Sequence, residues 1–280
     1  MLITAIVDNL ERAILRFKTK LRLKRIIKQP TAQFEQRSSN WISERKNIFT
    51  ASEVACFIKK DKKSVLPYFD AFYSDRVNGN SQDFDKFLND FLQTNKKLDN
   101  GIFTGIGVHK FDDPASVLNK KLNEQSKLKE KKLPQPLVWG TQFEKIALNL
   151  YQIKNELKDS EIFQTGLVVH EQYKFLGCSI DVLDLKNSYL VEFKCPFKEK
   201  KPFLPDLYAW IQTQIQMEIF DLSRAKIVIS QFGEYSDVFT FTNDPETQQY
   251  SGIFIQESKS TDEVSCVYPP TEMGYTIFSE

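Results

Sequence analysis

Asp181, Glu192 and Lys194 are the residues of this chain whose types and spacing could do chemistry together. They lie in residues 177–197, GCSIDVLDLKNSYLVEFKCPF. Two apolar, β-branched-rich runs flank Lys186 and Asn187, so the pattern predicts a β-hairpin with a tight turn at that pair. The register about such a turn sets Asp181 opposite Glu192. Strand side chains alternate, so Lys194 joins them on one sheet face while Val191, Phe193 and Cys195 point the other way. Two carboxylates this close repel unless a cation sits between them, and an oxygen-only pair suits a hard divalent metal such as magnesium. The alternative is a surface hairpin whose acids and lysine are solvated and paired across strands. Against it stands the strand YLVEFKC, apolar apart from Glu192 and Lys194, where charges are costly unless they coordinate or react.

The elements needed to hold such a site can be read along the 280 residues. From Trp139, WGTQFEKIALNLYQIKNEL predicts a helix with Phe143, Ile146, Ala147, Leu150 and Ile153 on its inner face. Glu144 lies beside that stripe, either as a boundary residue or as a carboxylate delivered towards a metal. Strands are expected at 162–170 and 174–183, then YLVEFKC, a helix DLYAWIQTQIQMEIFDL and the strand AKIVISQF. The order α-β-β-β-α-β describes a mixed α/β sheet with helices on its faces.

Upstream, apolar residues from Ile3 to Leu21 recur at helical spacing and run into LRLKRIIK before Pro30. This reads as a solvated amphipathic helix or as an electrostatic arm for DNA. In residues 38–58 Ser39 is expected to cap a short helix carrying Trp41 and Arg45, and Thr50 to Glu53 fits a capping box. Residues 59–138 hold Phe-rich pieces such as FDKFLNDFLQ and the basic stretch NKKLNEQSKLKEKK, expected to be a solvated loop whose lysines add nonspecific affinity for a polyanion.

Composition narrows the function classes. With 38 Lys and Arg against 37 Asp and Glu, a uniformly basic surface is excluded. The charges are uneven: residues 12–28 carry eight Arg or Lys and no acid, whereas residues 232–280 carry nine acids and one Lys. A polyanion would therefore bind away from the C-terminal segment. Four separated cysteines without a CxxC pair, and no secretory leader pattern, fit an intracellular setting in cytoplasm or nucleus. Asp8 and Glu11 count against a mitochondrial presequence. Two histidines make a Cys/His zinc site improbable, and no apolar run approaches the ~20 residues of a membrane span.

Four segments, in order, resemble the YqaJ-type viral recombinases and the phage lambda exonuclease group of the PD-(D/E)xK nucleases. RKNIFTASEVA resembles their N-terminal arginine-to-TAS segment, WGTQFEKIALNLY their GxxxE helix, and GCSID with VEFKCPF their serine-x-aspartate and ExKCP hairpin. WIQTQIQ resembles the glutamine-bearing helix that follows. The resemblance implies a restriction-endonuclease-like sheet core flanked by helices, with helical N-terminal additions. A basic arm would span 1–37 and one nuclease domain 38–280, with an insert at 59–138 and a catalytic core at 139–231.

The implied activity is Mg²⁺-dependent DNA hydrolysis, with Mn²⁺ substituting, most simply 5′-to-3′ exonuclease action on duplex ends during recombination or replication. A structure-specific or nicking endonuclease, or a DNA-binding descendant that no longer cuts, are the alternatives. Asp181, Glu192, the Phe193 carbonyl and Glu144 would form the metal site. Lys194 would position or deprotonate the attacking water, and Gln214 would orient Lys194 or the nucleophile. Arg45, Ser52, Ser179 and Lys200 match the 5′-phosphate pocket, and Glu171 matches a further carboxylate. The implied partners are DNA ends, a single-strand annealing protein and further copies of the chain. Ser179-Ile180-Asp181-Val182 stands where the family has Ser-Pro-Asp-Gly, and Lys200 stands where the phage exonucleases favour arginine, which loses a bidentate phosphate fork.

Overall fold

In a computed structural model the described residues are 17–57, 62–72, 86, 114–123, 135–197, 205–233, 254–257 and 264–267. In chain order the helices are α1 (17–26), α2 (Ser39–Arg45), α3 (Ala51–Val54), α4 (Lys62–Phe72), α5 (Pro114–Asn123), α6 (Gln135–Lys154) and α7 (Leu207–Phe220). The strands are β1 (Phe49–Thr50), β2 (Ile162–Phe163), β3 (Val168–Val169), β4 (Leu176–Cys178), β5 (Val182–Asp184), β6 (Tyr189–Lys194), β7 (Ala225–Ile229), β8 (Phe254–Glu257) and β9 (Val264–Val267). This is a mixed α/β chain. It forms two compact units: Met1–Lys129 with Phe163–Glu192 and Pro202–Ile227, and Glu130–Ile162 with Phe193–Lys201 and Val228–Glu280.

The first unit is organised around α7. Asp206 starts this helix by accepting from the Ala209 N–H at 2.7 Å, and Asp221 ends it with φ 48°. Arg22 of α1 donates to the Phe220 carbonyl at 3.0 Å and to that of Asp221, whose carboxylate it also pairs. It thereby satisfies carbonyls that the last turn of α7 leaves without a partner. Burial lowers the Arg22 pKa, with the neighbouring Arg25 acting in the same direction. Leu23 of α1 joins Val168, Cys178, Ile180, Leu183, Leu190, Ile219 and Phe220 in the core. The first 16 residues, including the start of the expected amphipathic helix, lie outside the described residues.

Two sheets cover this core. In the first, β4 is central, parallel to β1 and antiparallel to β3, with Gly177 facing both Thr50 and Val169. A Cβ at Gly177 would stand 2.8 Å from the Ile48 side chain and 2.9 Å from the Val168 carbonyl, so only glycine lets three backbones approach this closely. The second sheet has the order β2-β5-β6-β7.

The hairpin has the expected register but a longer loop. Val182 faces Val191, Leu183 faces Leu190 and Asp184 faces Tyr189. Four residues, 185–188, make the reversal instead of two. The Asp184 carboxylate stabilises it by accepting from the Asn187 backbone and side-chain amides, both at 2.9 Å, and Ser188 takes φ 57°. The expected strand over 174–183 is also corrected. It is two strands in different sheets, parted at Ser179–Asp181, where side chains replace ladder partners. Gln216 donates to the Ser179 carbonyl at 3.3 Å, Gln36 donates to the Ile180 carbonyl at 3.1 Å, and the Ile180 N–H donates to Thr165 Oγ1 at 3.1 Å.

Ser38 rather than Ser39 caps α2, accepting from the Trp41 N–H at 3.3 Å, while the Thr50–Glu53 capping box forms as expected. The expected solvated loop over NKKLNEQSKLKEKK is helical in its first five residues, the end of α5. Lys121 there is not available to a polyanion. Only 10% exposed, its ammonium meets Glu53 Oε2 at 2.9 Å and the carbonyls of Arg45 and Ile48 at 3.0 and 2.8 Å. FDKFLNDFLQ lies almost wholly outside the described residues.

In the second unit α6 buries Trp139, Phe143, Ile146, Ala147, Leu148 and Tyr151. Ile153, expected on the inner face, is 48% exposed, and Tyr151 takes the inward place beside Phe193 at 5.9 Å between ring centres. Trp139 meets Phe143 at 4.4 Å and Phe197 at 5.3 Å, and Phe143 stacks on Phe232 at 4.4 Å. β8 and β9 pair antiparallel, strands that the sequence pattern did not predict. Among the described residues no helix is long and apolar enough to cross a membrane.

Candidate active site

The first unit gathers its chemistry where β6 meets α7. Glu192 is 3% exposed. Its Oε1 accepts from Gln212 Nε2 at 2.7 Å and its Oε2 from Gln216 Nε2 at 2.7 Å. Both glutamines are buried and stand four apart on α7, so they share one helix face. Asp181, half-buried, adjoins the last hairpin pair, Val182 with Val191, and lies outside the strand.

Gln214, the glutamine expected to act, is exposed. Two residues from either partner of Glu192, it is turned about 200° around the helix axis. Glu192 is bonded by Gln212 and Gln216, on either side of Gln214.

The arrangement is rich in acceptors. A carboxylate has about four lone-pair positions, and at Glu192 one amide bonds each oxygen. Gln216 is fully buried, and among the described residues its Oε1 has no hydrogen-bond partner. Carboxylate and amide oxygens of this kind fit a hard divalent cation better than a soft one. Among the described residues no group of three or more His, Cys, Asp and Glu side chains is gathered for a metal ion, so the acids converge at most as a pair. Glu171, the expected further carboxylate, sits in the exposed β3–β4 turn and pairs with Arg25 at 3.5 Å.

Cys178, at the end of β4, is fully buried. Burial, and secondarily the charge of Glu192, push its thiol well above the usual value of 9.0. The folded protein therefore keeps this proton at a pH where the unfolded chain has lost it, and stability falls as pH rises beyond about 9. The expected contribution is about 1.4 kcal/mol per pH unit in that window. Urea unfolding of wild type and Cys178→Ala from about pH 8 to 10 checks this, with the wild-type advantage shrinking as pH rises.

Three of the four candidate phosphate ligands form a second cluster in the same unit. Arg45 Nη2 donates to Thr50 Oγ1 at 3.2 Å, and Thr50 Oγ1 lies 3.1 Å from Ser52 Oγ. The Arg45 guanidinium lies 4.1 Å from the centre of the Trp41 ring, whose Nε1–H donates to Ser179 Oγ at 2.8 Å. The parallel pairing of β1 with β4 is what brings residues 41–52 beside Ser179. Lys200 lies outside the described residues.

The second unit holds the other candidates. Glu144 is half-buried on α6, next to buried Phe143. Phe193 is buried, and Lys194 is half-buried at the end of β6 with its carbonyl accepting from the Ser230 N–H at 2.9 Å.

Sequence reasoning missed Gln212, Gln216, Trp41, Thr50, Gln36 and Thr165. The signal for the first two was present, since an i,i+4 glutamine pair on an otherwise apolar helix needs a polar partner. Residues 103–222 match the family model of the YqaJ-like viral recombinase domain, a span that holds α5, α6, the hairpin and α7 but not residues 38–58. No curated protein matches the chain.

Proposed function

Because the chain carries a YqaJ-like viral recombinase domain, a domain of DNA recombination and nuclease chemistry, we propose that it is a metal-dependent deoxyribonuclease. Its substrate on this reading is the 5′-phosphorylated end of duplex DNA, degraded 5′ to 3′ in recombination, on a restriction-endonuclease-like core. The observation that carries the proposal is the buried Glu192, whose two oxygens accept from Gln212 and Gln216.

Asp181 and Glu192, with the Phe193 carbonyl, would hold Mg²⁺ or Mn²⁺, and Glu144 would join through water or a second ion. A bound divalent cation neutralises charge on the scissile phosphate and lowers the pKa of bound water. Lys194 holds the attacking water in line or takes its proton. Arg45, Ser52 and Ser179 receive the terminal phosphate, with Lys200 as a fourth contact; Thr50 fixes the Arg45 and Ser52 side chains, and Trp41 fixes Ser179. Lys121 holds the backbone of this loop from beneath.

Digestion of end-labelled linear duplex, with and without a 5′-phosphate, in Mg²⁺ and in chelator, tests the proposal. Mg²⁺-dependent release of nucleotides from the phosphorylated 5′ end, at least ~10-fold faster than from the hydroxyl end, is expected. Arg45→Ala should erase that preference. Relaxation of covalently closed plasmid in place of end release would make the protein an endonuclease, and DNA binding with no cleavage would make it a binding protein.

A further inference from the structure

We propose that Gln216 is a positioning residue that sets the separation of Asp181 and Glu192, and that its unpaired Oε1 serves the hydration of a cation held there. The inference rests on the reading of those two acids as cation ligands and goes beyond it by assigning an uncharged helix residue control of metal affinity.

Three observations carry it. The Gln216 Nε2–H group serves both acid-bearing segments, donating to Glu192 Oε2 at 2.7 Å and to the Ser179 carbonyl at 3.3 Å, two residues before Asp181. That second bond falls where the strand is broken. Ser179–Asp181 belong to neither sheet, so the place of Asp181 depends on side-chain partners from outside the ladder rather than on strand pairing. Gln212, by contrast, holds the other oxygen of Glu192 at 2.7 Å. One glutamine orients an acid; the other joins two.

The third observation is the fully buried Oε1 of Gln216, which receives no hydrogen bond. A buried amide oxygen left without a donor forfeits the hydration it had in the unfolded chain. Such groups persist where an ordered water or ion completes them. The amide is oriented by its two acceptors, so the oxygen cannot turn away without breaking the bonds to Glu192 and Ser179. A water shared with a cation on the acid pair supplies the missing donor.

The test is calorimetric titration of Mn²⁺ alone into the full chain, without DNA. Gln216→Met keeps side-chain length and removes both donor and acceptor. It should weaken Mn²⁺ uptake about 10- to 100-fold, the range found when groups that orient metal ligands are removed. Gln212→Met should weaken it less. Mn²⁺ uptake by Gln216→Met within twofold of wild type overturns the inference while leaving the acid pair as ligands. Absence of uptake by wild type overturns both.

Gln216→Glu covers the case in which the methionine variant fails to fold. It sets a second acid against Glu192, so its melting temperature should rise with Mn²⁺ more steeply than that of wild type. An equal or smaller rise contradicts the proposal.

Discussion

Asp181→Ala protein is expected to bind linear duplex DNA with wild-type affinity and to release nucleotides from it at least ~10²-fold more slowly. The physical basis is differential stabilisation: DNA is held by contacts to many phosphates, whereas the acid acts only where charge builds on one of them. Asp181 is half-buried and outside both sheets, so its truncation leaves the core around Ile180 and Leu183 intact and the loss reports chemistry rather than folding. Lys194→Ala should lower the rate by roughly 10²–10⁴-fold, as removal of a general acid or base does, with the fold again preserved. Initial rates on a labelled duplex and filter binding in chelator separate the two quantities. Cleavage retained by Lys194→Ala removes that residue from the chemistry.

Glu192→Leu is expected to do more, because it acts on stability as well as on cleavage. Leucine has similar bulk but accepts no hydrogen bond, so the amides of Gln212 and Gln216 lose their 2.7 Å acceptor. Leaving two buried donors short of partners costs roughly 2–5 kcal/mol, a sizeable part of the margin of a small domain. Glu192→Gln, by contrast, keeps the shape and an amide oxygen, and should unfold at a denaturant concentration much closer to wild type. Both variants should be inactive. Urea unfolding beside the cleavage assay checks this, and equal stability of the leucine and glutamine variants would show that the two amides do not hold Glu192 in solution.

The hairpin was legible in the sequence because its signal is local. A four-residue loop over 185–188 and a two-residue turn at 186–187 share one centre, so the register is the same for both, with Val182 facing Val191. The break at Ser179–Asp181 was not legible. Apolar residues run through it, and the groups that replace the ladder come from Gln36, Thr165 and Gln216, far away in sequence. β1 was missed because two residues carry no periodicity, yet its pairing with β4 is what gathers Arg45, Ser52 and Ser179.

Of the three glutamines in WIQTQIQ, a period of 3.6 groups the outer two at Glu192 and turns Gln214 outward. One reading went astray for a reason of charge. Lys121 was counted among solvated lysines because a run of like charges suggests a loop. A lysine four carbons long can instead turn inward to a carboxylate and two carbonyls, and this one does.

The central claim is that Asp181 and Glu192 act as one metal-dependent centre for DNA hydrolysis. It is tested most directly by the initial rate of nucleotide release from a 5′-phosphorylated linear duplex as free Mg²⁺ is raised, for wild type beside Asp181→Ala. The account predicts a saturable rise for wild type, none in chelator, and a flat baseline for the variant. A wild-type rate indifferent to Mg²⁺, or a variant that climbs with the same curve, would contradict it.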